Sequence, residues 1–253
     1  MTTDLTAGSQ RAGRPGREGW ESMNVKRWVW GLAVILALKA GAALHDQTGG
    51  PQAVKQVPTS QRIVAFTFDD GPHPGTTPEL LRVLRDKGVK GTFFVLGSNA
   101  EMHMDLLRQI VAEGHEIANH GYSHKFAKDM NLADYLAEVD RTADVVNAVA
   151  ARPVLFRPPG GSYNDRLVAA LQQRGYSTVL WSVDARDWAR PPADQVVKTV
   201  TEGVKPGSIC LFHDGQQDLP TPQAVARLID ILGAQGYRMV TVSDLLQYYE
   251  IRH

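Results

Sequence analysis

Ile63-Val64-Ala65-Phe66-Thr67-Phe68-Asp69-Asp70-Gly71 is the stretch on which the fold reading turns. Six residues, rich in β-branched and aromatic side chains, run straight into two carboxylates and a glycine. A short apolar run of this composition, bounded by a turn signal, reads as a buried strand. Working outward, similar runs recur at Thr92–Leu96, Glu116–Asn119, Val154–Phe156, Thr178–Val183, Ser208–Phe212 and Arg238–Val242. Between them, segments of helical period start near Thr77, Ala100, Leu132, Asp165, Ala193 and Pro222, and a last one near Ser243. Gly88, Gly114, Gly175 and Gly236 stand where helices should stop. Strands alternating with helices of this length imply βαβ units and a parallel sheet, hence an α/β fold. The pattern is compatible with an open doubly wound sheet or a closed barrel. No Gly-rich dinucleotide fingerprint follows the first run, which disfavours the Rossmann alternative.

Parallel α/β folds collect their chemistry at the carboxyl ends of the strands. Five of the predicted ends carry ionisable side chains: Asp69-Asp70-Gly71, His120 to His124, Arg157-Pro158-Pro159-Gly160-Gly161, Asp184 to Trp188, and His213-Asp214. In a parallel sheet all five lie on one rim. His120 and His124 are four apart, a spacing that in a helical turn puts both imidazoles on one side. Two histidines plus a carboxylate are a common catalytic zinc set. The adjacent Asp69 and Asp70 repel if buried together, and a cation beside one and an arginine beside the other would relieve this. That suggests one aspartate as ligand and one as base. Successive strand residues point to opposite faces, so both can face the site only if the chain twists or bulges there. Arg157 leads into a loop stiffened by two prolines, whose glycines let backbone amides approach a ligand. Asp187 and His213 can pair, which would favour a protonated imidazole suited to donating a proton to a leaving amine. Trp181 and Trp188 can form an apolar wall, with core packing the default for Trp181. Cys210 reads as a small buried hydrophobe.

The chain has 253 residues, 43% hydrophobic and 21% charged, with zero formal net charge. That is ordinary for a soluble globular protein, and no basic excess points to nucleic acid. A single cysteine excludes a disulfide framework and a cysteine-rich zinc knuckle. Residues 1–22 are polar and read as a disordered lead, with Met23 a candidate true start. Lys26-Arg27, an uncharged apolar run from Trp28 to Leu38 and small residues beyond it make 23–44 a signal peptide or an N-terminal membrane anchor. Either assignment exports the main domain. Residues 45–60 read as a linker, and 61–253 as the functional domain.

The region from about Arg62 to Leu246 resembles the polysaccharide deacetylase, or NodB-homology, domain of carbohydrate esterase family four. Thr67-Phe68-Asp69-Asp70-Gly71, Asn119 with His120 to His124, Arg157 to Gly161, Asp184 to Trp188, and Leu211-Phe212-His213 are similar to its five motifs, in order. The resemblance implies a distorted (β/α) barrel with fewer than eight strands, about seven, all parallel. It implies a divalent metal, usually zinc with cobalt or another divalent ion as alternatives, held by Asp70, His120 and His124. It makes Asp69 the general base and His213 the general acid, assigns Arg157 to Asp69 and Asp187 to His213, and gives Trp188 and Leu211 to an acetyl pocket, with the Gly160 amide as oxyanion donor. The implied reaction is hydrolysis of N-acetyl groups in an acetylated polysaccharide, with peptidoglycan favoured and chitin oligomers next. An acetylxylan esterase or a catalytically silent sugar-binding module on the same fold are the competing expectations. Two positions depart from the family: Gly160 where tyrosine is frequent, removing an aromatic contact to the sugar, and Gly121 where serine or threonine is frequent, removing a hydroxyl that would steady the metal loop. Both bear on substrate and metal affinity more than on the reaction.

Overall fold

The computed structural model describes residues 52–250. The polar lead expected over 1–22 and the leader expected over 23–44 lie outside the described residues. Among the described residues no helix is long and apolar enough to cross a membrane.

The strands are β1 Ile63–Asp69, β2 Thr92–Val95, β3 Glu116–Asn119, β4 Leu155–Phe156, β5 Ser177–Thr178, β6 Val183–Asp184, β7 Ile209–His213 and β8 Arg238–Val240. The helices are α1 Thr77–Asp86, α2 Gly97–Met102, α3 Met104–Ala112, α4 Leu132–Asn147, α5 Asp165–Gln173, α6 Ala193–Gly203, α7 Thr221–Ala234 and α8 Val242–Leu246. Seven strands run in the order β5-β4-β3-β2-β1-β7-β6, every pair parallel, and β8 pairs with the first three residues of β1. This is a curled half-barrel dressed with helices. The four helix-ending glycines all adopt positive φ, as their place in the sequence predicts.

Two expectations are corrected. The run Thr178–Val183 is not one strand. It is β5 and β6, which lie at opposite ends of the strand order. Leu180, Trp181 and Ser182 carry the chain between those ends, so an apolar run that looks continuous in sequence spans the seam of a curled sheet. The linker expected over 45–60 is also too long. Val54 bridges Val179 and Gln56 bridges Ser208, and Val57 is buried. This short strap is hydrogen-bonded to chain on both sides of the seam, with Leu180 donating to Val54 and Val57 donating to Gly207.

The period-two alternation of the strands sorts the core into layers. In β1, Val64, Phe66 and Phe68 pack outward under the helices with Leu80, Leu84, Val200, Phe212 and Leu228. Ile63 and Ala65 point inward and join Phe94, Ala118, Leu155 and Ile209 in a second cluster, closed by Val242, Leu245 and Leu246 of α8. A third cluster, including Tyr135, Phe156, Leu171 and Tyr176, packs α4 and α5 on β4. Inward-facing positions at the carboxyl ends are polar instead, and there the site forms.

Candidate active site

Thr67 and Asp69 continue the inward face of β1, so Asp70 should point outward with Phe68. It does not, because the strand ends at Asp69 and Asp70 turns into the left-handed region at φ 73°. That single backbone reversal answers the difficulty posed by two consecutive aspartates. The Asp70 carbonyl accepts a hydrogen bond from Asn99 at 2.7 Å, which helps hold the turn.

Asp70 Oδ1 lies 3.4 Å from His120 Nε2 and 3.3 Å from His124 Nε2. The three ligand atoms are all within 4.8 Å of one another. The histidines do not share a helical turn, as their spacing suggested; residues 120–126 form an irregular loop, and His124 itself has φ 58°. Neighbours steady that loop in place of the hydroxyl absent at Gly121. Asn119 Oδ1 accepts the Gly121 amide at 2.8 Å, and Glu138 accepts both the amide and the hydroxyl of Ser123.

This trio suits a divalent cation. Ligand atoms about 2.1 Å from a tetrahedral centre are about 3.4 Å apart, close to the separations Asp70 makes with each histidine. Asp70 Oδ1 is buried and has no hydrogen-bond partner. His120 Nδ1 lies 2.7 Å from the Arg157 carbonyl oxygen, to which it donates, leaving the Nε2 lone pair for an ion. Burial would raise the Asp70 pKa, but the imidazoles of His120 and His124 hold it down at about 2. Burial lowers the pKa of His124, helped by the charge of His120 and opposed by Asp70. For His120, burial is outweighed by Asp69 and Asp70, which raise it.

Asp69 stands beside this group. Its Oδ1 accepts from Arg157 Nη1 at 2.6 Å, and its Oδ2 lies 3.6 Å from His120 Nε2. Arg157 is fully buried. Its other donors reach Thr67 Oγ1 and the carbonyls of Val179 and Leu180, and its guanidinium lies over Phe94 at 4.0 Å from the ring centre. A buried guanidinium is tolerated only with such complete pairing. Thr67 had no role in the sequence reading, since a strand threonine carries no local signal of an arginine arriving from another strand.

His213 ends β7 directly across from Asp69. Its Nδ1 is 2.8 Å from Asp187 Oδ1. Asp187, wholly buried, also accepts from the His213 amide at 2.8 Å, from the Trp188 amide at 3.0 Å and from Thr221 Oγ1 at 2.5 Å. Burial would lower the His213 pKa; the Asp187 carboxylate, with Asp69 and Asp70 beyond it, outweighs burial and pushes it up to about 9. The imidazole is therefore protonated at neutral pH, with Nε2–H available.

Gly160 sits exposed at the apex of a tight 3-10 turn, Pro159–Gly161, at φ 60°. A β-carbon there would come within 2.5 Å of the Phe126 ring. Leu211 is buried on the inward face of β7, in register with Thr67, whereas Trp188 is 51% exposed. Trp181 is only partly buried; its indole lies against Gly161 and beneath the Arg157 guanidinium. Cys210 is buried, its thiol pushed up to about 12 by burial. The sequence reading gave no role to Asp214. It is fully buried, bonded by Thr77 at 2.6 Å, with its other oxygen unpartnered, and it packs against Gly71. Burial, with Asp70 and Asp69 adding, pushes its pKa up to about 7 against the Thr77 hydrogen bond. Its place beside His213 was the only available signal.

The curled parallel half-barrel with its polar rim matches solved structures of CE4 carbohydrate esterases. One is a peptidoglycan N-acetylglucosamine deacetylase crystallised with a hydroxamate-type benzamide, at TM-score 0.75 and 33% identity over 79% of this chain and 95% of that one. Another is a CE4 family pseudoenzyme from Bacillus anthracis, at TM-score 0.75 and 26% identity over 80% of this chain and 71% of that one. Residues 56–179 match the family model described as polysaccharide deacetylase. A peptidoglycan-N-acetylglucosamine deacetylase of Bacillus cereus is 40% identical over 196 residues, 76% of this chain and 92% of its own. A chitooligosaccharide deacetylase of a Bradyrhizobium species is 40% identical over 156 residues, 61% of this chain and 71% of its own. The chain belongs to the polysaccharide deacetylase family.

Proposed function

We propose that the protein hydrolyses the N-acetyl groups of N-acetylglucosamine-type residues in a polysaccharide, releasing acetate, with peptidoglycan the favoured substrate and chitin oligomers next. The observation that carries this reading is the convergence of Asp70, His120 and His124 on one point, flanked by Asp69 and His213. Zinc is the favoured ion for a two-histidine, one-carboxylate set. When bound it supplies Lewis acidity, polarising a carbonyl and lowering the pKa of water towards about 7.

The chain's own residues do the rest. Arg157 fixes Asp69 Oδ1, so Oδ2, on the His120 side, accepts the proton of the attacking water. The Gly160 amide supports the oxyanion as the carbonyl carbon becomes tetrahedral. His213 delivers the Nε2 proton to the amide nitrogen as the C–N bond breaks, because an unprotonated amide anion is too poor a leaving group. The products are acetate and a free amine. Asp187 holds the His213 ring and its charge. Leu211 and Trp188 offer apolar surface to the acetyl methyl. The apolar leader over 23–44 supports an exported protein, secreted or anchored at the outer face of the membrane, where such polymers lie.

Acetate release from peptidoglycan, chitin oligomers and acetylxylan, measured in parallel with and without chelator, tests the reading. Chelator-sensitive release from the first two is expected. Release from xylan alone makes the protein an esterase. No release from any substrate, with metal confirmed, makes it a sugar-binding module.

A further inference from the structure

Two of the three candidate ligands, Asp70 and His124, sit on backbone that no ladder fixes. Asp70 has φ 73° and His124 φ 58°, and Gly121 between the histidines has φ 79°. A non-glycine residue stays in the left-handed region only where its surroundings hold it. Topology says where such a hold can come from. β2 lies between β1, which leads to Asp70, and β3, which leads to His120. The element that follows β2 is therefore placed to touch both ligand loops, and that element is the short helix α2.

Four consecutive residues, from the N-cap of α2 onward, donate to the two loops. The Leu96 amide bonds the Gly71 carbonyl at 3.1 Å, the Gly97 amide the Gly121 carbonyl at 2.9 Å, and the Ser98 amide the Tyr122 carbonyl at 3.0 Å. Asn99 Nδ2 bonds the Asp70 carbonyl at 2.7 Å. The first amides of a helix have no acceptor inside it, and α2 has no side-chain cap. The carbonyls of the histidine loop take that role, so helix and loop complete each other. One turn on, Glu101 accepts from the Tyr122 hydroxyl and pairs with Arg141 at 3.3 Å. The Arg141 guanidinium lies over the Tyr122 ring, 3.5 Å from its centre. Gly97 leaves room for that ring: a β-carbon there would come within 2.6 Å of it and 2.4 Å of Thr142 Oγ1. The Asp70 turn is hemmed in by Gly215 as well, where a β-carbon would lie 2.3 Å from Asp70 Cβ.

We propose that α2 is a clamp that sets the spacing between the Asp70 turn and the histidine loop, with Asn99 as its positioning residue. Asn99 acts through the backbone of Asp70. Its bond fixes the Asp70–Gly71 peptide and so keeps residue 70 in the turn that brings its carboxylate to the histidines. The chemistry demands a donor at this position. An aspartate at 99 has nearly the same shape but turns an acceptor towards the Asp70 carbonyl oxygen, and the two repel. Partners behind the ligands commonly decide how tightly an ion is held. The inference rests on the ion-site reading and deepens it.

The test measures zinc affinity of the full chain by competition with a chromophoric chelator. Visible absorption of the cobalt-loaded protein reports ligand geometry beside it, and neither readout requires turnover. Asn99→Asp and Asn99→Ala should each raise the zinc Kd by about tenfold or more and alter the cobalt absorption. The urea midpoint of each metal-free variant should stay close to that of the metal-free unaltered protein. Should Asn99→Asp fail to fold, Asn99→Ala decides. Zinc bound as tightly by the variants as by the unaltered protein overturns the inference alone. A weakened affinity matched by a lowered metal-free urea midpoint makes Asn99 a merely structural residue and also overturns it. If the unaltered protein takes up neither zinc nor cobalt, the ion-site reading fails and the clamp with it.

Discussion

Asp69 and His213 are partners across the β1–β7 ladder, so a carboxylate and an imidazole leave the same face of the sheet on strands about 4.8 Å apart. Each is fixed from behind by a buried residue of opposite character, Arg157 for Asp69 and Asp187 for His213. The carboxylate proposed as proton acceptor and the imidazole proposed as proton donor are thereby held next to one another by the sheet itself.

Replacing Asp69 with asparagine keeps the shape and leaves the Asp70, His120 and His124 donors untouched. Acetate release should fall by about 10²–10⁴-fold, the range of general-base catalysis, while metal content stays at one ion per chain by elemental analysis. Near-normal turnover with the ion in place would falsify the assignment of Asp69 as base.

The His213 ring should set the alkaline limb of activity. With its pKa pushed up to about 9, the acid form persists through neutral pH, and kcat should decline only as pH passes about 9. Asp187→Asn removes the carboxylate responsible, so the limb should move towards the ordinary imidazole range near 6.5. The same pair contributes to folding. Because the folded pKa is raised above the unfolded 6.5, its stabilisation is complete below pH 6.5 and lost as pH rises through about 9. A pH–rate profile whose alkaline limb is identical in both proteins would remove His213 as the donor.

His120→Ala removes the most buried of the three candidate ligands and should abolish stoichiometric metal binding. His124→Ala removes a more exposed one and should weaken it less. Equilibrium dialysis against zinc measures both, and a fully loaded His120→Ala protein would place the ion elsewhere.

Arg157→Met deletes the guanidinium and strands a buried Asp69 carboxylate. Breaking a buried pair in this way costs about 3–5 kcal/mol, and urea denaturation should register a loss of that order. A loss below about 1 kcal/mol would mean that water or the ion already satisfies Asp69.

Gly71→Ala would put a β-carbon 2.2 Å from the buried Asp214 carboxylate. Overpacking of this kind costs about 1–3 kcal/mol. Adding Asp214→Ala should recover part of the loss, whereas simple additivity in the double variant would show that the two positions do not interact.

Most of the architecture was readable from the chain, because most of the strands are short, apolar and followed by an amphipathic helix; β5, which leads straight into β6, is the exception. The rim was readable because ionisable residues recur after those strands. What escaped was long-range or conformational. Spacing cannot tell a helical turn from the loop that turns at His124, since both can bring the two imidazoles together. Composition marked Gly49-Gly50-Pro51 as linker and carried that label too far, past Val54 and Val57, which are apolar but too few to show a period. Asp214 and Tyr135 look unremarkable in sequence; only packing leaves one oxygen of each unpartnered. Phe126, which follows the histidine loop, has the composition of a core residue but emerges at the surface.

The strap formed by Val54 and Gln56 bears on how the molecule can be cut. It supplies no reactive group, yet it staples the two lips of the curled sheet through Val179 and Ser208. A fragment trimmed to begin at Arg62 would retain every rim residue while leaving the lips free to part, and Leu180, whose carbonyl anchors Arg157, lies on one of them. The precision of the chemistry is thus tethered to a few residues upstream of the first strand.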